Sequence, residues 1–219
     1  MLPGVEITYL GHASFRLRGR TATVVTDPYN DKCGKFPRDT TADMVTISHG
    51  HGDHNQKDKV GGSPFVVEGP GEYEVKGVSV IGVPTFHDDK GGAERGTNTA
   101  YVIEMDGMRL LHLGDLGHKL SEGLLSEIGA IDLCFVPTGG VYTVDAKTAA
   151  EVVRQVDPWV AVPMHYQQAG LDAEMFGQLA PVTEFLKEMG KDGVQAVAKL
   201  TISADRLPTE LLVVVLERK

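Results

Sequence analysis

Ser48-His49-Gly50-His51-Gly52-Asp53-His54 follows the apolar run Met44-Val-Thr-Ile47, and the reading of this stretch decides the fold. The apolar run reads as a short buried strand that delivers the segment. In extended backbone His49 and His51, two positions apart, point to the same side. Gly50 and Gly52 remove side chains that would crowd a tight turn. Asp53 and His54 fall one turn further on, where a helix start faces them into the same space. Three imidazoles and one carboxylate converging in this way form a nitrogen/oxygen site suited to Zn²⁺, or to Fe or Mn. The plainer alternative is a polar, glycine-rich surface loop. The chain has eight histidines, and they are not evenly scattered.

Outward from this cluster, strand-like segments dominate the first two thirds. Val5–Leu10, Ala13–Leu17 and Thr21–Thr26 precede it, and Asp27-Pro28 stops the third. Pro64–Val67, Tyr73–Val75 and Val78–Val83 follow it, and Asn98–Met105 and Met108–Leu113 form a hairpin around Asp106-Gly107. After Asp115 helical patterns at Ser121–Ile128, Asp145–Gln155 and Pro181–Met189 alternate with strands at Leu133–Val136 and Val160–Val162. Ser121 and Asp145 sit where N-caps are expected. Val194–Ile202 and Glu210–Leu216 predict two final strands. No linker or repeat divides the 219 residues, so residues 1–219 read as a single domain of two sheets covered by helices.

Composition narrows the function classes. The formal charge is −9 with no Lys/Arg block, which argues against long nucleic acid and anionic membrane surfaces as partners. The longest apolar run, Leu211–Leu216, is far short of the roughly 20 residues of a membrane helix. Met1–Glu6 carries no secretory pattern. Cys33 and Cys134 read as free thiols of a reducing cytoplasm. No Gly-x-Ser-x-Gly elbow or Walker-type loop competes with a metal-based chemistry.

His-x-His-x-Asp-His after a buried strand resembles the signature of the metallo-β-lactamase superfamily, and the resemblance spans nearly the whole chain. Asp27 after Val24-Val-Thr26, His87 in Val83-Pro-Thr-Phe-His87, Asp115 in His112-Leu-Gly-Asp115 and His165 in Val162-Pro-Met-His165 match its other motifs. The resemblance implies an α+β fold, the αββα four-layer sandwich with two mixed sheets between helices. It further implies two divalent metal ions, zinc first and manganese or iron as alternatives. His49, His51 and His87 would hold one, Asp53, His54 and His165 the other, with Asp115 between them and Asp27 orienting the metal loop from behind. Asp115 stands where the zinc β-lactamases have cysteine, which sets antibiotic hydrolysis aside. His51 stands where flavo-diiron proteins usually have glutamate. Only a helix, a strand and a helix separate Asp115 from His165, too little for the inserted domain of the nuclease branch. Tyr9-Leu-Gly-His-Ala-Ser14, Asp27-Pro-Tyr29 and Pro137-Thr-Gly-Gly-Val-Tyr-Thr143 resemble the ascorbate-6-phosphate lactonase-like hydrolases.

The expected activity is therefore hydrolysis of a small, anionic lactone, ester or phosphodiester by hydroxide held on a dinuclear metal site, with Asp53 among the catalytic groups. Two alternatives stand beside it: a phosphodiesterase or nuclease on short oligonucleotides, and a non-catalytic metal-binding sensor of the same fold. His118, three residues after Asp115, is placed to pass a proton to the leaving group. His12 is read equally as a structural hydrogen-bonder or as a support behind the ligands, and His112 as a packed strand residue. Tyr142, Arg95 and Tyr166 are candidate contacts to substrate oxygens. Oligomeric state is left open, homo-oligomers included.

Overall fold

The computed structural model describes residues 4–219. The first sheet is built from β1 (Val5–Gly11), β2 (Ser14–Arg18), β3 (Thr23–Thr26), β4 (Met44–Ile47) and β5 (Phe65–Glu68). The second takes β6 (Gly71–Val75), β7 (Val78–Phe86), β8 (Thr97–Met105), β9 (Met108–His112), β10 (Leu133–Pro137) and β11 (Val160–Met164). Two short strands complete them, β12 (Leu200–Ile202) beside β1 and β13 (Leu212–Val213) beside β11. The orders are β12-β1-β2-β3-β4-β5 and β13-β11-β10-β9-β8-β7-β6. Both sheets are mixed: β1, β2 and β3 pair antiparallel and β3, β4 and β5 parallel, while β6 to β9 pair antiparallel and β9, β10, β11 and β13 parallel.

Period-two alternation decides which layer each side chain enters. In β8, Tyr101, Ile103 and Met105 face the core between the sheets, while Ala100 and Val102 face the helices outside. Phe15 from the first sheet and Phe135 from the second meet in that central core with ring centroids 4.2 Å apart. The hairpin forms around Asp106-Gly107, with Met105 opposite Met108. Both turn residues take positive φ, at 51° and 76°, as a two-residue primed turn demands.

Helices α1 (Glu122–Ile128), α2 (Ala146–Val156) and, beyond α3 (Ala173–Phe176), α4 (Val182–Glu188) are few and short. Ala149, Val152 and Val153 of α2 and Phe185 of α4 pack with Val136 and Ala161 on the outer face of the second sheet. Among the described residues the outer face of the first sheet has no matching helical layer. Leu10, Val25, Val45 and Ile47 are covered there by Tyr29, Cys33 and Phe36 from the loop after β3 and by Phe176 of α3. The helix start expected at Asp53-His54 is also not formed: residues 51–54 make a turn closed by His54 N–H donating to the His51 carbonyl at 3.0 Å. The two final strands shrink to three and two residues, and a single bridge, Val197 to Leu216, joins the segments they came from. Among the described residues no helix is long and apolar enough to cross a membrane.

The expected caps are present. Ser121 Oγ accepts from Leu124 N–H at 3.3 Å and Asp145 Oδ1 from Thr148 N–H at 2.7 Å. The Thr148 bond holds the Asp145 carboxyl below its usual pKa. Asp145→Ala is expected to cost about 1 kcal/mol of stability at neutral pH. Because the folded-state pKa is lowered, this contribution is complete above the unfolded value of about 4 and disappears as pH falls through the folded one. Urea melts of both proteins at neutral and acid pH check this; a cost that grows on acidification would contradict it.

Candidate metal centre and active site

The residues expected to bind or orient metal follow the C-terminal ends of strands. β1 delivers His12, β3 delivers Asp27 and β4 delivers Ser48 to His54, all from the first sheet. From the second, β7 delivers His87, β9 Asp115 and β11 His165. The strand ends on one edge of the sandwich thus bring together residues far apart in sequence.

Asp115 is the hub. Its Oδ2 lies 3.3 Å from Nε2 of each of His54, His87 and His165 and 3.9 Å from Nε2 of His49. His49, His51 and His87 form one group whose ligand atoms lie within 4.8 Å of one another; His12, Asp53, His54 and His165 form a second, and His49, His54 and Asp115 a third. The structure therefore brings together all seven residues expected to bind metal and adds His12 beside them. Nε2 of His49, His54 and His165 and Oδ1 of Asp115 are buried with no hydrogen-bond partner. Leaving buried polar atoms unpaired costs about 1–3 kcal/mol each. A cluster of them on one point fits a cation, and the imidazole/carboxylate donor set fits a divalent one.

The electrostatics are those of a site built around positive charge. Burial and the neighbouring His54 push His49 down to about 3, and burial and His165 push His12 down to about 4, so both are neutral ring donors at neutral pH. Burial opposes charge on His54 as well, but Asp115, Asp53 and Asp27 outweigh it and raise its pKa well above the ordinary value. Asp115 is likewise buried, yet His165 and His54 hold its carboxyl well below the usual range.

Asp27 organises the metal loop from beneath. It is fully buried; Oδ1 accepts from Ser48 N–H at 2.8 Å and Oδ2 from Ser48 Oγ at 2.6 Å. Oδ2 also receives His54 Nδ1 at 2.8 Å. Ser48 Oγ in turn lies 2.9 Å from His49 Nδ1. One carboxylate therefore fixes the Nδ1–H tautomer of His54 directly and of His49 through a hydroxyl, leaving Nε2 of each free to ligate. His12 Nε2 donates to Asp53 Oδ2 at 3.1 Å and does for that carboxylate what Asp27 does for the imidazoles. His12, Asp27 and His165 have φ of 55°, 37° and 52°, a costly conformation for residues with a Cβ. At Gly139 the backbone passes so close to His165 that an added Cβ would sit 2.1 Å from its carbonyl oxygen.

Several supports were not legible as functional. Asn98 accepts from Asp115 N–H at 2.9 Å and donates to the Leu113 carbonyl at 2.9 Å, clamping the turn that carries Asp115. An asparagine buried at the start of a predicted strand is the signal that could have marked it. Asp88, next to His87, accepts four backbone N–H groups, from Lys90, Gly92, Glu94 and Arg95, at 2.8–3.0 Å. Gly50 has open space around its Cβ position, so crowding does not explain it; at Gly52 an added Cβ would meet Asn30 Nδ2 at 2.8 Å.

A cavity of about 300 Å³ opens over the cluster, with His51, Asp53, His87 and Asp115 on its floor and Arg95, Tyr142, Met175 and Phe176 among its walls. A larger cleft of about 660 Å³, around Lys35, Phe36 and Arg38, touches none of the cluster. Arg95 and Tyr142 thus reach the candidate site. Tyr166 does not: it is buried, stacked 6.4 Å from the Tyr9 ring, with burial pushing its hydroxyl up to about 12. Nor is His118 brought to it. Phe86 N–H donates to its Nε2 at 3.1 Å and its Nδ1 bonds the Lys119 carbonyl at 2.8 Å, so both ring nitrogens are engaged by backbone and neither is free to pass a proton. His112 packs in its strand, with Nε2 on the Ala13 carbonyl at 2.7 Å, and Cys33 is buried under the loop after β3.

The comparisons with known proteins agree with this geometry. Residues 6–165 match the model of the beta-lactamase superfamily domain. A UPF0173 metal-dependent hydrolase of Thermococcus onnurineus is 33% identical over 190 residues, covering 74% of this chain and 84% of that protein. The crystal structure of a proposed Zn-dependent hydrolase of the metallo-β-lactamase superfamily from Thermotoga maritima superposes with a TM-score of 0.80 at 39% identity, covering 98% of this chain and 100% of that one. Igni18, a metallo hydrolase from Ignicoccus hospitalis, shares the fold at 20% identity with a TM-score of 0.68, covering 91% of this chain and 99% of its own. With a superfamily model matched from β1 to His165 and relatives aligned over most of their length, this chain belongs to the metallo-β-lactamase superfamily and, within it, to the UPF0173 metal-dependent hydrolases.

Proposed function

We propose that this metal-dependent hydrolase cleaves a small anionic lactone, ester or phosphodiester in the 300 Å³ cavity over the cluster, in the manner of the ascorbate-6-phosphate lactonase-like branch. The observation that carries this reading is the convergence of His54, His87 and His165 Nε2 on Asp115 Oδ2, with buried nitrogens of His49, His54 and His165 left unpaired. His49, His51 and His87 would hold one divalent ion and Asp53, His54 and His165 a second, with Asp115 shared; zinc suits this donor set best, and manganese and iron also suit it. When bound, such ions supply Lewis acidity to the substrate oxygen under attack and make water acidic enough to lose a proton near neutral pH.

The chain's own residues do the rest. Asp53 lines the cavity, and its carboxyl is held down by His54 and by the bond from His12 against the cost of burial. It therefore stays ionised at working pH and accepts a hydrogen bond from water entering the cavity, which orients that water. His12, neutral and fully buried, keeps Asp53 from rotating. Met175, Phe176 and the ring of Tyr142 form a wall that limits water on the far side. The Tyr142 hydroxyl donates to the Met175 carbonyl at 2.6 Å, so its ring rather than its hydroxyl is presented to the substrate. The cavity is at the small end of the range for small-molecule sites, which disfavours oligonucleotides. The reading places the whole site in one domain and a soluble small molecule as its partner.

Elemental analysis of the purified protein, followed by a screen of chromogenic lactones, carboxylic esters and phosphodiesters, tests this. About two equivalents of metal per chain and turnover of one class are expected. A fully loaded protein that turns over none of them would favour the sensor reading, and a protein that takes up no metal would remove the ligand assignment.

A further inference from the structure

The wall of the cavity carries one cationic side chain, Arg95. Three independent contacts hold it in place. Its backbone N–H donates to Asp88 Oδ2 at 2.8 Å, within the set of four bonds by which that carboxylate shapes the loop. Its guanidinium lies over the Tyr142 ring, 5.1 Å from the centroid, and Nη2 donates to the Val141 carbonyl at 3.0 Å. The tyrosine beneath is itself pinned through its hydroxyl to Met175. Val141, which supplies the carbonyl, is a β-branched residue held at φ 60°.

None of these contacts neutralises the charge. A carbonyl oxygen and an aromatic face attract a cation without carrying a counter-charge. Among the described residues no carboxylate pairs with Arg95: Asp88 is engaged by backbone N–H groups, and Glu94 pairs with Lys90. Arg95 shares an adjoining cleft with Asp88, Asp89, Glu94 and Asp145, yet its guanidinium is held on the Val141 carbonyl and the Tyr142 ring, and an arginine so fixed at the rim of a reactive cavity is preorganised for a ligand. Most of the five N–H donors of its fork remain free, in the planar array that fits a carboxylate or phosphate.

We propose that Arg95 selects the substrate, and that the substrate carries, apart from the bond to be cleaved, a second group that is an oxyanion, carboxylate or phosphate, bound by this guanidinium. The inference rests on the hydrolase reading of the same cavity and narrows it: one end of the molecule lies over the histidine/aspartate floor, its body runs along Met175 and Phe176, and its anionic end reaches Arg95. A neutral lactone or simple alkyl ester lacks the group this wall is built to hold.

The test is a binding titration on zinc-loaded protein and needs no turnover. Malonate, succinate, glutarate and adipate are each compared with the monocarboxylate of the same length, propionate, butyrate, valerate and hexanoate. A parallel series carries a phosphonate at the far end in place of the second carboxylate, which tells the two anions apart. At least one dianion is expected to bind about 10- to 100-fold more tightly than its monocarboxylate partner, the range for a charged hydrogen-bonded pair. Arg95→Ala should abolish that advantage and Arg95→Lys retain part of it, because lysine keeps the charge and loses the fork. The proposal is overturned if no dianion outbinds its partner, or if the advantage survives in Arg95→Ala. The hydrolase reading fails separately, in the turnover screen.

Discussion

Asp115→Asn is expected to lower bound metal from the two equivalents proposed to less than one per chain and to lower hydrolysis by at least 100-fold. The lower bound is set by a weaker perturbation: losing a residue that merely supports a metal ligand already costs about 10- to 100-fold. Asp115 does more than support, since its Oδ2 is the point on which three Nε2 atoms converge at 3.3 Å. An amide in its place is isosteric but neutral, and its NH₂ group would point donors toward a metal or toward the rings. Elemental analysis and steady-state kinetics of the variant decide the matter. Full metal content with full activity would show that the hub is not where the chemistry is organised.

Asp27→Ala is expected to destabilise the metal-free protein by about 3–5 kcal/mol, the usual cost of removing one partner from a buried charged pair. Both Asp27 and His54 are completely buried, and the substitution removes one of the three carboxylates that face His54 and leaves its buried Nδ1 without an acceptor. Ser48 N–H and Oγ lose their acceptor in the same step. Metal affinity should fall by about 10- to 100-fold as well, because His54 and His49 lose the bonds that set their tautomers. Chemical denaturation of the metal-free variant and a competition titration with a chelator measure the two effects. A variant with wild-type stability and affinity would mean that the loop holds its shape without help from beneath.

What could be read from the sequence was whatever is decided within a few residues. The Asp106-Gly107 hairpin and the Ser121 and Asp145 caps each carry their instruction locally, and each forms as expected. The helix expected after Asp53 does not form, because the chain closes a turn from His54 to His51 and then runs over the first sheet. The segments Val194–Ile202 and Glu210–Leu216 look like two full strands, yet each finds only a few pairing partners at a sheet edge, and they join opposite sheets. Nothing local distinguishes those outcomes. The same holds for the cavity: Met175 and Phe176 reach it from a four-residue helix far along the chain, and Asp88 acts only through backbone groups. His118 shows the converse, a histidine close to Asp115 in sequence whose ring is claimed by the backbone of β7 and of its own loop.

The four strand ends that bear the candidate ligands belong to two different sheets, with Asp53 and three histidines from one and His87, Asp115 and His165 from the other. A cation seated among them is a rivet through the sandwich, since the sheets cannot part without releasing it. At a free concentration one hundred times its dissociation constant such an ion would add about 2.7 kcal/mol to the cost of unfolding. Heat resistance in this protein would then depend on metal supply as much as on its apolar core, and a chelator would lower its melting temperature before it touched any bond in the chain.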